Sequence, residues 1–153
     1  MSEREHLEQA VALATENAGR GQLPFGAIVV RDGEVLGRGV NTTLRDHDPS
    51  AHAEVEAVRD ACRTHGVLDL TGAVIYTSCE PCPMCHSTAV LAGITSLVYA
   101  APKELAAAHG LTLEGLGARM QETWQAQDPG GVRAGDVDAA EAPFLRFDEV
   151  GRP

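Results

Sequence analysis

Basic residues are scarce in this 153-residue chain. Lys and Arg number 12 against 22 Asp and Glu, a formal net charge of −10. Proteins that hold a phosphate backbone do so by displacing its counterions with cationic side chains. The few cations here form no dense patch, so a polynucleotide substrate is disfavoured. Long apolar runs are missing as well. Nothing approaches the roughly 20 residues of a membrane-spanning helix, and no membrane partner is expected. The opening Met-Ser-Glu-Arg-Glu-His lacks the basic stretch followed by an apolar one that marks a secretion signal. The cytoplasm is therefore the expected compartment. There is no internal repeat and no linker-like stretch. The length suits one domain with a real core and is short for two, so residues 1–153 are read as a single domain.

Cysteine is present in small number, and its placement is informative. Three of the four cysteines crowd into Cys79–Cys85. Clustered cysteines with a histidine elsewhere, in a chain read as cytosolic, point to metal binding rather than to disulfides. The histidine lies in His52-Ala53-Glu54, and the cysteines in Pro81-Cys82-Pro83-Met84-Cys85. The two halves together resemble the H-x-E…P-C-x-x-C signature of zinc-dependent deaminases. His52, Cys82 and Cys85 supply one nitrogen and two thiolates for Zn²⁺. Three protein ligands leave a fourth tetrahedral position for water, the arrangement of a catalytic rather than a structural zinc. Glu54 stands close to the metal without being needed as a ligand, which suits an acid–base group.

The order of elements reads α-β-β-α-β-α-β. Ser2-Glu3-Arg4-Glu5 fits a capping box, with Leu7, Ala10, Val11 and Ala14 at helical spacing behind it. Phe25 to Val30 and Glu34 to Asn41 read as strands joined by a hairpin turn at Asp32-Gly33. Asn41 to Pro49 reads as a loop. A helix follows from near Ala51, with Val55, Val58 and Cys62 on one face. Ala73 to Thr77 reads as a buried strand and Ser78 to Pro81 as a tight connection. Pro83 suits the first turn of the next helix, which Gly93 closes, and Thr95 to Ala100 is a further strand. Beyond Pro102 the signals weaken. Leu105 to Met120 is partly helical, Asp128 to Asp136 is a loop, and Ala139 to Val150 is a short helix interrupted by Pro143. This alternation implies an α/β fold with a central mixed sheet and helices on both faces.

His52, Glu54, Cys82 and Cys85 thus fall at the starts of two helices. Free N–H groups and partial positive charge at such ends favour thiolate and developing negative charge. Cys82 and Cys85, three apart, share a helix face. Two competing ligand sets exist. Cys79, three residues before Cys82, would close the site as Cys₃His and end catalysis. His86, one residue past Cys85, could replace His52. His6, His47, His65 and His109 read as surface residues, Cys62 as an apolar contact, and Trp124 and Phe144 as core.

At these residues the chain resembles the cytidine/deoxycytidylate deaminase superfamily, in the small-base branch that contains bacterial guanine deaminases. The matching stretches are Pro24-Phe25-Gly26-Ala27, Val40-Asn41, Asp48 to Val55, Tyr76 to Cys85 and Tyr99-Ala100-Ala101. The resemblance implies a three-layer α/β/α fold and a Zn²⁺ cofactor. It implies Asn41 as a contact to the base, and a homodimer whose C-terminal segment, about 128–153, packs on or is exchanged with a partner subunit. Guanine deaminases carry a further acidic residue beyond the Tyr-Ala-Ala strand. Here Glu114, or Glu141 in the tail, is the candidate.

The expected reaction is hydrolytic deamination of a small aminated base, guanine to xanthine and ammonia in the first instance. Glu54 carries the proton. Ala53 and Cys82 offer backbone donors at the helix starts, and Phe25 an apolar wall. Cytosine, a nucleoside or a triazine-like analogue is the alternative substrate. Deamination of tRNA adenosine, or a non-catalytic zinc module, are the remaining readings.

Overall fold

The computed structural model describes residues 1–112, 115–125 and 141–150. The chain divides into two compact units, 1–114 and 115–153, taken separately below. In the first unit, helix α1 (Glu3–Gly19) opens with the expected capping box. The Glu5 N–H donates to Ser2 Oγ at 3.3 Å, and the Ser2 N–H donates to the Glu5 carboxylate at 2.6 Å. Strands β1 (Gly26–Arg31) and β2 (Glu34–Val40) form the expected hairpin. Its two turn residues, Asp32 and Gly33, both take positive φ, 52° and 79°, as a two-residue turn matching the strand twist requires. A bulge lies between Val29 and Val30, which pair with Gly37 and Val35.

Strand β3 (Val74–Cys79) pairs antiparallel with β1, and β4 (Ser96–Ala101) pairs parallel with β3, giving the order β2-β1-β3-β4. Parallel neighbours need a crossover, and helix α4 (Pro83–Leu91) supplies it. Helix α3 (Ala53–His65) packs on the sheet beside α4, on the face opposite α1. The small residues show why. Gly26 faces α1, where a Cβ would stand 2.5 Å from the Ala10 carbonyl. Gly37 and Gly39 face α3, and a Cβ on either would collide with its backbone at Ala53, Ala57 and Ala61. Glycine opposite alanine lets helix axis and sheet approach closely. The core between sheet and α3/α4 holds Val29, Leu36, Val58, Leu70, Ile75 and Ile94. The mixed sheet between helical layers is the α/β/α arrangement expected.

Several details differ from expectation. The segment after Asn41 contains a short helix, α2 (Thr43–Asp46), ended by His47 in the left-handed region at φ 52°; four residues are too few to show a period. Strand β3 runs on through Ser78 and Cys79, because Glu80 and Ala101 continue the backbone pairing. His6 is only 4% exposed and stacks on Tyr76 at 4.8 Å. It is a core residue, because the aromatic ring of β3 gives it an apolar partner. His47, His65 and His109 are exposed as expected, and Cys62 packs against the core.

Helix α5 (Lys103–Ala108) follows β4. The second unit contains α6 (Leu116–Gln125) and α7 (Ala142–Val150). Pro143 sits in the first turn of α7, where its missing N–H costs nothing, and starts the helix rather than interrupting it. Phe144 is 70% exposed and not core. The Trp124 side chain, the stretch Asp128–Asp136 and Glu114 lie outside the described residues. Among the described residues no helix is long and apolar enough to cross a membrane.

Candidate metal centre

His52 and Cys82 occupy equivalent places. Each is the N-cap of its helix, α3 or α4, in extended conformation, and neither side chain caps its own helix. Both turn instead towards a common point. Cys82 Sγ lies 3.7 Å from His52 Nδ1, Cys85 Sγ lies 3.4 Å from it, and the two sulfurs are 3.6 Å apart. A tetrahedral zinc with bonds of about 2.3 Å to sulfur and about 2.0–2.1 Å to nitrogen requires separations of about 3.8 Å and about 3.6 Å. The donor set therefore fits the ion in chemistry and in spacing. Among the described residues these three donors are the group that could hold a metal. Cys79 at the end of β3 and the exposed His86 stand outside it. Three ligands leave one position open.

The surroundings polarise the group. The Cys85 thiol and His52 both hydrogen-bond to Cys82 and pull its thiol down to about 4 against the cost of burial. The hydrogen bond to Cys82, then burial and the nearby Glu54, push the Cys85 thiol the other way. His52 is raised by its hydrogen bond to Cys82. Glu54, in the second position of α3, is 6% exposed. Burial pushes its carboxyl up, opposed by its own backbone N–H, by Cys85 and by the charge on His52. A carboxyl raised towards neutrality can both take and give a proton.

The other expected site residues are placed as follows. Ala53 is the fully buried first residue of α3. Phe25, just before β1, is half-buried against the core, and its carbonyl accepts from the Asn41 N–H at 3.0 Å. Asn41 is buried at the end of β2. Its neighbour Thr42 donates through its N–H to the Ala51 carbonyl, one residue before His52. Glu141 is exposed at the start of α7, in the second unit. Three polar side chains were not singled out from the sequence. Thr77 is 1% exposed, with its hydroxyl 3.4 Å from Glu54 Oε1. Asn17 and Thr43 both bond to Asn41. Asn17 falls at the buried Ala10–Ala14 face of α1, and an amide at an apolar position was the available signal.

Residues 1–101 match the family described as the cytidine and deoxycytidylate deaminase zinc-binding region. The chain is 45% identical over 112 residues to a guanine deaminase of Bacillus subtilis, covering 72% of this chain and 71% of that one. An X-ray structure of guanine deaminase from Bacillus subtilis superposes with a TM-score of 0.84 at 31% identity, covering 100% of this chain and 98% of the other. A tRNA-specific adenosine deaminase of Agrobacterium fabrum is 39% identical over 102 residues, 66% of this chain and 67% of that one. A crystal structure with bound 8-azaguanine superposes with a TM-score of 0.69 at 26% identity, covering 77% and 73%. The match across two-thirds of the chain, the fold and the three-donor centre agree: this chain belongs to the cytidine and deoxycytidylate deaminase family and is a zinc-dependent hydrolytic deaminase.

Proposed function

We propose that the protein deaminates guanine to xanthine and ammonia, with His52, Cys82 and Cys85 holding the zinc and Glu54 moving the proton. The observation that carries this reading is an open three-donor centre beside a buried carboxyl, in a chain 45% identical to a guanine deaminase. Zinc, when bound, supplies Lewis acidity and brings the pKa of water from about 15.7 towards about 7. Glu54 accepts a proton from the attacking water as its oxygen bonds to the amino-bearing carbon. It delivers that proton to the adjacent ring nitrogen, then carries the second proton to the departing amine as the carbon–nitrogen bond breaks. The transfers are sequential, so one carboxyl serves both. The Ala53 N–H at the start of α3 and the Asn41 amide meet polar edges of the base, and Phe25 lines an apolar wall. Glu141, or Glu114, is assigned to the N–H edge of guanine.

The substrate is a free base or small nucleoside rather than a polynucleotide, as the formal charge of −10 supports, and the protein acts in the cytoplasm. Residues 1–153 work as one domain within a homodimer whose tail packs on the partner. The exposed apolar Val90, Leu91 and Tyr99 on α4 and β4 support such a contact. Ammonia release from guanine, adenine, cytosine and their nucleosides tests the substrate, and guanine is expected to lead. Turnover of cytosine or a nucleoside without guanine would remove the guanine reading. Preferred turnover of an anticodon stem-loop would favour the tRNA reading. Sedimentation tests the dimer.

A further inference from the structure

Asn41 is 2% exposed and is held by every polar atom but one. Its backbone N–H donates to the Phe25 carbonyl at 3.0 Å. Its carbonyl accepts from Asn17 Nδ2 at 2.8 Å, and the same nitrogen donates to the Leu23 carbonyl at 2.8 Å. The side-chain oxygen Oδ1 accepts twice, from the Thr43 backbone N–H at 3.1 Å and from the Thr43 hydroxyl at 2.8 Å. A backbone N–H can only donate, so the amide atom facing it must be the oxygen. Both lone pairs of Oδ1 are then used. The remaining group, the Asn41 NH₂, makes no hydrogen bond among the described residues. Nor is it sealed away: among the described residues the buried side-chain atoms without a partner are the His6 ring nitrogens and the Thr42 hydroxyl.

The position of this amide is informative. Asn41 follows β2 and bonds to the residue before β1. The next carbonyl on β1, that of Gly26, faces the Thr77 hydroxyl, which in turn faces Glu54. On the other side, Thr42 is tied to Ala51, next to His52. Asn41 is therefore tied by its own N–H to the residue before β1, whose first carbonyl meets the Thr77 hydroxyl beside Glu54, and through its neighbour Thr42 to the segment just before His52.

We infer that Thr43 locks Asn41 as a hydrogen-bond donor, so that the bound base must present an acceptor, an unprotonated ring nitrogen or a carbonyl oxygen, at this point of the site. The inference rests on the reading of the protein as a base deaminase with Asn41 at the substrate, and it adds the polarity of the contact. An unrestrained asparagine can offer either end of its amide. Here a flip would lose the hydrogen bond from the Thr43 backbone N–H and set an NH₂ against it, whereas the Thr43 hydroxyl can turn to accept; the backbone N–H alone favours the donor orientation by about tenfold. Thr43 is thus a positioning residue: it acts on the substrate through Asn41. Guanine has acceptors at N3, N7 and O6. A base with C–H in place of the acceptor that meets Asn41 leaves a buried donor unmatched.

The test measures kcat and KM for guanine, and the Kd of 8-azaguanine by calorimetry, in wild type, Asn41→Asp, Thr43→Val and Thr43→Ser. Zinc content and circular dichroism check that each variant is folded. Thr43→Val is expected to raise KM and the 8-azaguanine Kd about tenfold with kcat within about twofold, and Thr43→Ser to restore both. Asn41→Asp keeps the acceptor towards Thr43 but turns an acceptor towards the base, so KM and Kd should rise about a hundredfold. The analogues 3-deazaguanine, 7-deazaguanine and 2-aminopurine each delete one acceptor. One of them is expected to bind about tenfold more weakly to wild type and to show no such penalty in Asn41→Asp. Unchanged KM and Kd in Asn41→Asp or Thr43→Val, or no penalty for any analogue, overturns the inference. If wild type turns over another base but not guanine, the guanine reading fails, and the same comparison on that base decides the polarity of Asn41. A folded, zinc-loaded protein that binds no base overturns both.

Discussion

Helices α3 and α4 begin alike. His52 and Cys82 have nearly the same backbone, φ −73° and ψ 156° against φ −76° and ψ 167°, and each turns its side chain towards the other rather than over its own helix. After the first turn the two helices differ. α3 buries Ala53, Glu54, Val55, Ala57, Val58 and Ala61, and lies so close to β2 that Gly37 and Gly39 leave no room for a side chain. α4 buries Cys85 and Ala89 and leaves Val90 and Leu91 largely exposed. Packing therefore holds His52 and Glu54 through more buried side chains of their own helix than it does Cys82 and Cys85. The α3 side of the centre is the more firmly fixed by packing, the α4 side the less.

The largest expected effect lies on the fixed side. Glu54→Gln should keep the fold and the zinc and lose about 10²–10⁴ in kcat, measured as ammonia release with zinc counted per chain. Near-normal turnover would mean that α3 holds a ligand but not the proton carrier. Next comes the metal itself. Chelation should speed amide exchange in α4 on the order of tenfold or more while α3 keeps its protection, read by hydrogen exchange. Equal loosening of both helices would erase the difference between them. Cys82→Ala should lose zinc, and Cys79→Ala should keep it.

A smaller effect tests the packing of α3. Gly39→Ala should destabilise the protein by about 1–3 kcal/mol, because the new methyl meets backbone that cannot move aside. Urea unfolding measures it, and an unchanged midpoint would show that α3 has slack. The smallest effect concerns the turn before His52. The N–H and hydroxyl of Ser50 both donate to Asp48 Oδ1, at 2.8 Å and 2.7 Å, and hold its carboxyl below the usual range. A lowered carboxyl stabilises the fold above its unfolded value of about 3.9, and that contribution is lost as pH falls through the lowered folded value. Ser50→Ala should therefore be slightly less stable than wild type at pH 7. The gap should close as pH is taken below the unfolded value of about 3.9 and through the lowered folded one, followed by chemical denaturation.

The order of elements could be read from punctuation: Ser2 and Glu5 at one helix start, Asp32-Gly33 at the hairpin, Pro83 and Gly93 around α4. The grouping of the three donors could be read from spacing, since a helix start brings Cys82 and Cys85 to one face. What escaped depends on distant partners. His6 belongs to the core only because Tyr76, remote in sequence, covers it. Thr77 and Asn17 are ordinary polar residues until the fold sets them beside Glu54 and Asn41. Helix α2 is too short to carry a period, and α6 and α7 emerge from the sequence only in outline.

The uncapped starts of α3 and α4 set stability against activity. Ser, Asp or Asn at an N-cap stabilises a helix by about 0.5–2 kcal/mol over a non-capping residue. A screen for stability in the metal-free protein would therefore favour such residues at positions 52 and 82, and every winner would have given up a ligand. Helix-cap optimisation, which elsewhere leaves function intact, would here improve the scaffold while dismantling the catalyst. By the same logic, in a descendant released from selection for catalysis, positions 52 and 82 are where capping residues would return first.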